Sequence, residues 1–276
     1  MKKFLAIAMA AAMVFSVAAC SSKTDDTSKD TKKEETADTA ADTKERTTFT
    51  VGFDASFPPY GYVDESGDYV GFDLSLAQEV CDRKGWELVK QPIDWDAKDM
   101  ELTSGAIDCI WNGFTMNGRE DKYTWTDPYI DNTQVYVVAE DSGIATVADL
   151  AGKVVLVQAD SSALHALEGM PEVTETFGEL TQVAEYNTAF MSLEAGAADA
   201  VAMDVAVAKF QIDSRNGGYV ILDDYISSEQ YAVGFALGND ELRDEVQAVL
   251  YDMVDDGTFD KIAEEWGVSD LTCLGK

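Results

Sequence analysis

An α/β architecture is predicted by three observations. Short runs alternate apolar with polar residues, apolar residues at three- and four-residue spacing fill the stretches between them, and glycines stand where those stretches stop. Phe49, Val51 and Phe53 alternate with Thr50 and Gly52, the period of two of a strand. Leu74, Ala77, Val80 and Cys81 then recur at helical spacing, with Gly85 as the stop. Residues 86–90 and 107–111 read as strands, with a short helix over 96–103 between them. Strands follow at 134–139, 153–157, 183–186 and 200–203, and helices at 162–167, 188–195, closed by Gly196, and 205–212. Leu242, Val246, Val249, Leu250 and Met253 mark one further helix; Phe259, Ile262, Ala263 and Trp266 mark the last, parted from it by Gly257-Thr258. Strands separated by helices, in units of about thirty residues, imply right-handed crossovers and a largely parallel sheet covered on both faces.

The first twenty residues are of another kind. Lys2 and Lys3 precede an apolar run from Phe4 to Val17, too short for a comfortable membrane span, and then comes Val17-Ala18-Ala19-Cys20. This tetrapeptide, with Ser21-Ser22 after it, resembles the lipobox of bacterial lipoproteins. The resemblance implies that Cys20 takes a diacylglycerol thioether and, with its fatty acyl (palmitate) chains, anchors the mature protein outside the cell membrane. Residues 21–48 hold Ser, Thr, Asp, Glu, Lys, Ala and one Arg, with no aromatic or large aliphatic side chain, so they cannot bury enough apolar surface to offset their own ordering entropy. They are expected to be a disordered tether. What folds is residues 49–276, enough for one large domain or for two lobes of about 100 residues each.

Charge and motif content exclude several classes. The chain has 52 acids against 20 bases, a formal net charge of -32. With Lys2, Lys3 and the tether's six bases and eight acids set aside, residues 49–276 keep 44 acids and 12 bases. Nucleic-acid binding needs the opposite sign. No glycine-rich phosphate loop is present, so neither ATP nor a dinucleotide is expected, and no cofactor is called for. No second apolar stretch is long enough to cross a bilayer. Cys81, Cys109 and Cys273 allow at most one disulfide; Cys81 falls on the apolar side of a helix and Cys109 in an apolar strand, and no spacing suggests a zinc site. The lone histidine, His165, reads as a partly exposed helix residue.

A set of short motifs in fixed order carries a family resemblance. Asp54-Ala55-Ser56-Phe57-Pro58-Pro59-Tyr60 follows the first strand, and Gly71-Phe72-Asp73-Leu74 opens the first helix. Ile107-Asp108 and Gly113-Phe114-Thr115 lead to Arg119 and to Thr126-Asp127-Pro128-Tyr129. Asp149-Leu150, Val157-Gln158, the run Ala198 to Asp204 and the run Asp256 to Ile262 come later. In this order the chain resembles, over essentially Phe49 to Trp266, the polar amino-acid-binding proteins that feed ABC importers. That group includes the lysine/arginine/ornithine-, histidine- and glutamine-binding proteins.

The resemblance implies a two-lobed, type II periplasmic-binding-protein-like fold with two crossing segments and a ligand cleft. Lobe one would be 49–132 plus 230–276, lobe two 133–229, with crossings near 131–134 and 225–231. It implies Arg119 as the fork for the ligand's carboxylate, aided by the backbone and hydroxyls of Ser161 and Ser162, although either serine also suits a helix cap. Asp204 would hold the ammonium group, with the Gly113 carbonyl and the Thr115 hydroxyl, although Asp204 could instead cap the helix that follows it. Phe57 and Trp95 match positions flanking the ligand side chain, and elsewhere such aromatics are more often core. Asp54 could favour a cationic side chain. The chain departs from the family pattern in Met116-Asn117-Gly118, one residue shorter than the common loop before Arg119, and in Trp111-Asn112, which replace smaller residues; Asn112 offers an amide to a polar ligand.

The function implied is capture of a free L-amino acid and its delivery to the transmembrane subunits of an ABC permease, without bond chemistry. The protein is expected to be a monomer held to the membrane through its lipid alone. Two alternatives belong to other classes. An enzyme of the cyclohexadienyl (prephenate or arogenate) dehydratase type would convert its ligand, and a surface adhesin or sensor would be expected to carry an attached signalling domain, for which the chain shows no motif.

Overall fold

Two mixed sheets, one per lobe, carry the structure. It is a computed structural model describing residues 46–276, so the signal, Cys20 and all but the last three residues of the predicted tether lie outside it. In the first sheet the strand order is Glu87–Pro92, Thr48–Phe53, Cys109–Ile110, Gly234–Ala236, Tyr123–Trp125. In the second it is Glu179–Val183, Val154–Gln158, Ala200–Asp204, Ile130–Ala139, Tyr219–Tyr231. A three-stranded sheet of Ser56–Phe57, Gly61–Val63 and Tyr69–Val70 lies beyond the first strand.

The largely parallel character read from the sequence holds for only part of each sheet. The first three strands of each sheet are parallel, but Gly234–Ala236 runs antiparallel to both its neighbours, and so does Ile130–Ala139. The cause is the return path. A chain that leaves one lobe along an extended segment and comes back beside it must run the opposite way, and Tyr231↔Ile130, Gln230↔Asp131, Glu229↔Asn132 and Ser228↔Thr133 form that antiparallel ribbon.

Local elements follow their periodicity in most places. Phe49, Val51 and Phe53 are fully buried, and helix Phe72–Lys84 packs Leu76, Ala77, Val80 and Cys81 into the same core as Val246, Leu250, Met253 and Phe259 from the last two helices. The short helix after the second strand is a 3-10 turn, Trp95–Ala97, leading into Lys98–Ser104. One strand was misplaced. The predicted strand over 183–186 is instead Glu179–Val183, and Tyr186 opens the helix Tyr186–Glu194. That strand is a sheet edge with Glu179 and Gln182 in solvent, so it shows no apolar alternation; the helix buries Tyr186, Ala189, Phe190 and Leu193 on one face. No helix among the described residues is long and apolar enough to cross a membrane.

Candidate functional site

Where strands end, loops converge on one cleft between the lobes. From the first lobe it is lined by Phe57, Trp95, Asn112, Gly113, Thr115 and Arg119; from the second by Gln158, Ser161, Ser162 and Asp204. Gln158 and Asp204 are the last residues of parallel strands, and Asn112 follows a third, which is where open α/β sheets present their ligand-facing loops.

The first-lobe wall is held by hydrogen bonds to its backbone. Gly113 has φ of 55°, and a Cβ there would stand 2.8 Å from the Phe57 ring, so the turn needs glycine for both conformation and room. Its N–H donates to Asp73 Oδ2 at 2.6 Å, a carboxylate fully buried at the start of the first helix. Burial pushes the Asp73 pKa up to about 7, against the lowering effect of that N–H. The Asn112 side-chain oxygen accepts the Asp54 N–H at 3.0 Å, and its buried Nδ2 has no partner among the described residues. Trp111, the bulky residue beside it, is fully buried and packs against Tyr129 in the core, 6.4 Å between ring centres.

The shortened loop before Arg119 is pinned to the returning strand. Met116 N–H donates to the Gln230 carbonyl at 3.0 Å, and Asn117 Oδ1 accepts the Gln230 N–H at 2.7 Å. Arg119 N–H closes a turn onto the Met116 carbonyl at 2.9 Å, and the Trp125 indole N–H holds the Arg119 carbonyl at 3.1 Å. The guanidinium then turns back into the cleft. One nitrogen donates to the Thr115 carbonyl at 3.1 Å and the other to the Asp160 carbonyl at 3.4 Å, while the group lies 5.4 Å from the Phe114 ring centre. In a folded part so rich in acids, its charge meets only carbonyl oxygens among the described residues.

On the other wall, Ser161 caps helix Ser162–Glu168, its hydroxyl accepting the Leu164 N–H at 3.1 Å. Asp204 precedes helix Val205–Ser214, but its side chain makes no capping hydrogen bond. Its Oδ1 accepts from the amides of Asn132 and Gln134, at 2.8 and 2.5 Å, and from the Tyr231 hydroxyl. Glu229, on the returning strand, accepts from the same two amides and from the Thr115 and Ser162 hydroxyls. Asp204 is 4 % exposed and Glu229 7 %, and neither has a Lys or Arg partner among the described residues. Burial, then the Glu229 charge, raises the Asp204 pKa to about 7. The cleft thus has one cationic and one anionic wall.

The lobes touch across it. Gln158 Nε2 donates to Asp54 Oδ2 at 2.7 Å, Thr115 and Ser162 hydroxyls lie 3.2 Å apart, and Lys98, 2 % exposed, pairs with Asp160. Tyr62 packs on Phe210 at 5.3 Å and Phe57 on Tyr186 at 6.1 Å between ring centres. The arrangement is a closed one.

Nine of the ten residues singled out from the sequence for a ligand line this cleft. Asp54 is the exception. It faces an adjoining recess with Asp94, Asp96, Glu185 and the other side of Trp95, and burial raises its pKa to about 6. Sequence reasoning missed Asn132, Gln134, Glu229 and Tyr231, which act together only because residues some hundred positions apart pair in register. It also missed the roles of Gln158 and Asp73, although both stood in the quoted motifs.

The sequence profile of the bacterial extracellular solute-binding proteins, family 3, matches residues 49–269. The L-cystine-binding protein TcyA of Bacillus subtilis is 28 % identical over 276 residues, covering 99 % of this chain and 100 % of its own. The arginine-binding extracellular protein ArtP of the same organism is 27 % identical, covering 96 % and 98 %. Among solved structures, a substrate-binding protein of an ABC uptake transporter from Streptococcus pneumoniae with bound histidine superposes with a TM-score of 0.79 at 32 % identity, covering 82 % of this chain and 94 % of its own. Tv2483 bound to L-arginine gives 0.78 at 26 % identity, covering 83 % and 94 %. The chain belongs to the bacterial extracellular solute-binding proteins, family 3.

Proposed function

We propose that this protein captures a free L-amino acid in the cleft and delivers it to the transmembrane subunits of an ABC importer. The observation that carries this is the pairing of opposite walls: among the described residues, Arg119 is faced only by carbonyls, across from Asp204, which has no base beside it. A zwitterion supplies both missing partners, and a buried charge needs one. Arg119 and the Ser161 hydroxyl take the carboxylate. Asp204, the Gly113 carbonyl and the Thr115 hydroxyl take the ammonium. Phe57 and Trp95 flank the side chain, the free Nδ2 of Asn112 meets a polar group on it, and Asp54 lies where a long cationic side chain would end.

The lobes in this reading are 49–132 with 230–276, and 133–229, hinged on the paired crossings. The protein works as a monomer outside the cell membrane, held by lipid on Cys20, and returns its ligand unchanged. That the relatives compared are binding proteins supports this over the dehydratase reading, and nothing in the cleft favours an adhesin or sensor. The test is a thermal-shift screen against the common L-amino acids, cystine and ornithine, with mass spectrometry of the recovered ligand. Failure of every amino acid to raise the melting temperature overturns the reading, and a converted ligand favours the enzyme. For the anchor, wild-type protein lacking a glyceride-modified Cys20 peptide refutes lipidation.

A further inference from the structure

Four donors converge on one oxygen of a residue that does not line the cleft. Glu229 Oε1 accepts from the Thr115 hydroxyl at 2.8 Å, Asn132 Nδ2 at 2.9 Å, Gln134 Nε2 at 2.8 Å and the Ser162 hydroxyl at 3.1 Å. Thr115 belongs to the first-lobe loop, Ser162 opens the second-lobe helix, and the amides sit on the outgoing strand. Resting on the amino-acid reading above, we propose that Glu229 is a positioning residue for the ligand's ammonium group. It holds the Thr115 and Ser162 hydroxyls with their protons turned away from the cleft and sets a second negative charge behind Asp204.

The argument is one of proton counting. A hydroxyl has one proton and two lone pairs, and an ammonium has three donors and no acceptor. Once Glu229 takes the two hydroxyl protons, those oxygens can only accept on the cleft side. Gln134 Nε2 also lies 2.9 Å from the Ser162 hydroxyl, but its two N–H groups serve the Asp204 and Glu229 oxygens at shorter range, so the Ser162 lone pairs stay available on the cleft side. Thr115, Asp204 and the Gly113 carbonyl, with Ser162 beside them, then present only acceptors to the three N–H groups. Ser162 cannot also donate to the carboxylate, which the family resemblance would have it do; that falls to Ser161, whose oxygen accepts the Leu164 N–H, a bond that does not use its proton. Adjacent serines thereby serve opposite ends of the ligand. The other groups facing the carboxylate pair are the hydroxyls of Tyr231, Tyr60 and Tyr186, which burial keeps neutral, with Asp73 and Asp54 further along and Arg119 on the Thr115 carbonyl.

The test is Glu229→Gln, which keeps the shape but offers an amide that can donate as well as accept. Common L-amino acids and L-cystine are titrated by calorimetry into the wild-type protein, and the tightest binder is followed against pH in both proteins, with circular dichroism as the check on folding. The variant should bind about tenfold more weakly above neutral pH, because the hydroxyls are no longer held one way. Its affinity should also start to fall at a lower pH than in the wild type, since Asp204 has lost the charge that hinders its ionisation. Unchanged affinity overturns the proposal, and so does a loss equal at every pH, which a merely structural role would give. If the wild-type protein binds none of these amino acids, the functional reading fails and this inference with it.

Discussion

At the scale of single residues, the proposed reading rests on two charges in the cleft. Arg119→Ala should cost roughly 3 kcal/mol or more of binding, since the ligand's carboxylate would be buried without its cationic partner. Calorimetry of a correctly folded variant checks this, and near-wild-type affinity would show that Arg119 is not the fork. Asp204→Asn keeps the hydrogen-bonding outline and removes the charge, and about tenfold weaker binding is expected. Wild-type affinity should itself depend on pH through this group. Below about 7, the raised pKa of Asp204, the carboxyl takes a proton and its attraction for an ammonium is lost, so affinity falls as pH falls. A flat profile between about pH 5 and pH 8 would place the ammonium elsewhere.

Among the elements, the 3-10 turn at Trp95 and the helix after it form a clamp on the opposite lobe. Lys98 is buried by this turn, lies 5.3 Å from the Trp95 ring centre and pairs with Asp160, which the sharp turn after strand Val154–Gln158 holds at φ of 53°. Opening the cleft must break this pair, so its favourable energy belongs to the closed state alone. Lys98→Met keeps the apolar stem and deletes the charge. Ligand affinity should drop by about three- to tenfold through a faster off-rate, with the on-rate nearly unchanged. Stopped-flow fluorescence separates the two rates, and a pure on-rate effect would count against the clamp.

For the whole molecule, pH and closure can be read directly. Asp54, Asp73 and Asp204 have pKa values raised from 3.8 to about 6, 7 and 7 by burial. They stay protonated in the folded state at pH values where the unfolded chain has lost those protons, so their stabilising contribution is complete below about 4 and lost as pH rises through 7. The net charge of -32 adds repulsion in the same direction. On the acid side Asp256, lowered to about 2 by Thr258 and Arg83, works the other way. Ligand-free protein should therefore melt higher at about pH 5 than at about pH 8, and the reverse order in calorimetric scans would contradict the assignment of these three buried acids. Closure has its own observable. If each lobe supplies part of the ligand's shell, as proposed, ligand should favour the shut state, and small-angle scattering should show a smaller radius of gyration at saturation. An identical curve despite confirmed binding would mean that no hinge motion accompanies it.

What the sequence by itself determined is what depends on local order. The alternation of Phe49, Val51 and Phe53, the helical spacing ending at Gly85 and the motifs around Gly113, Arg119 and Asp204 are written within a few residues each, so they show the α/β class, most elements and one charge on each wall. Tertiary structure alone decided what depends on pairing between distant segments. The strand Glu179–Val183 is polar because it lies at an edge, and no period marks it. Glu229 and Asn132 look like ordinary surface residues in sequence, and become a buried acceptor and donor only because the returning strand runs antiparallel to the outgoing one in that register. Asp54 likewise meets Gln158 of the other lobe, a contact that no single segment records. A period can be read from one segment; a register or a cross-cleft contact takes two.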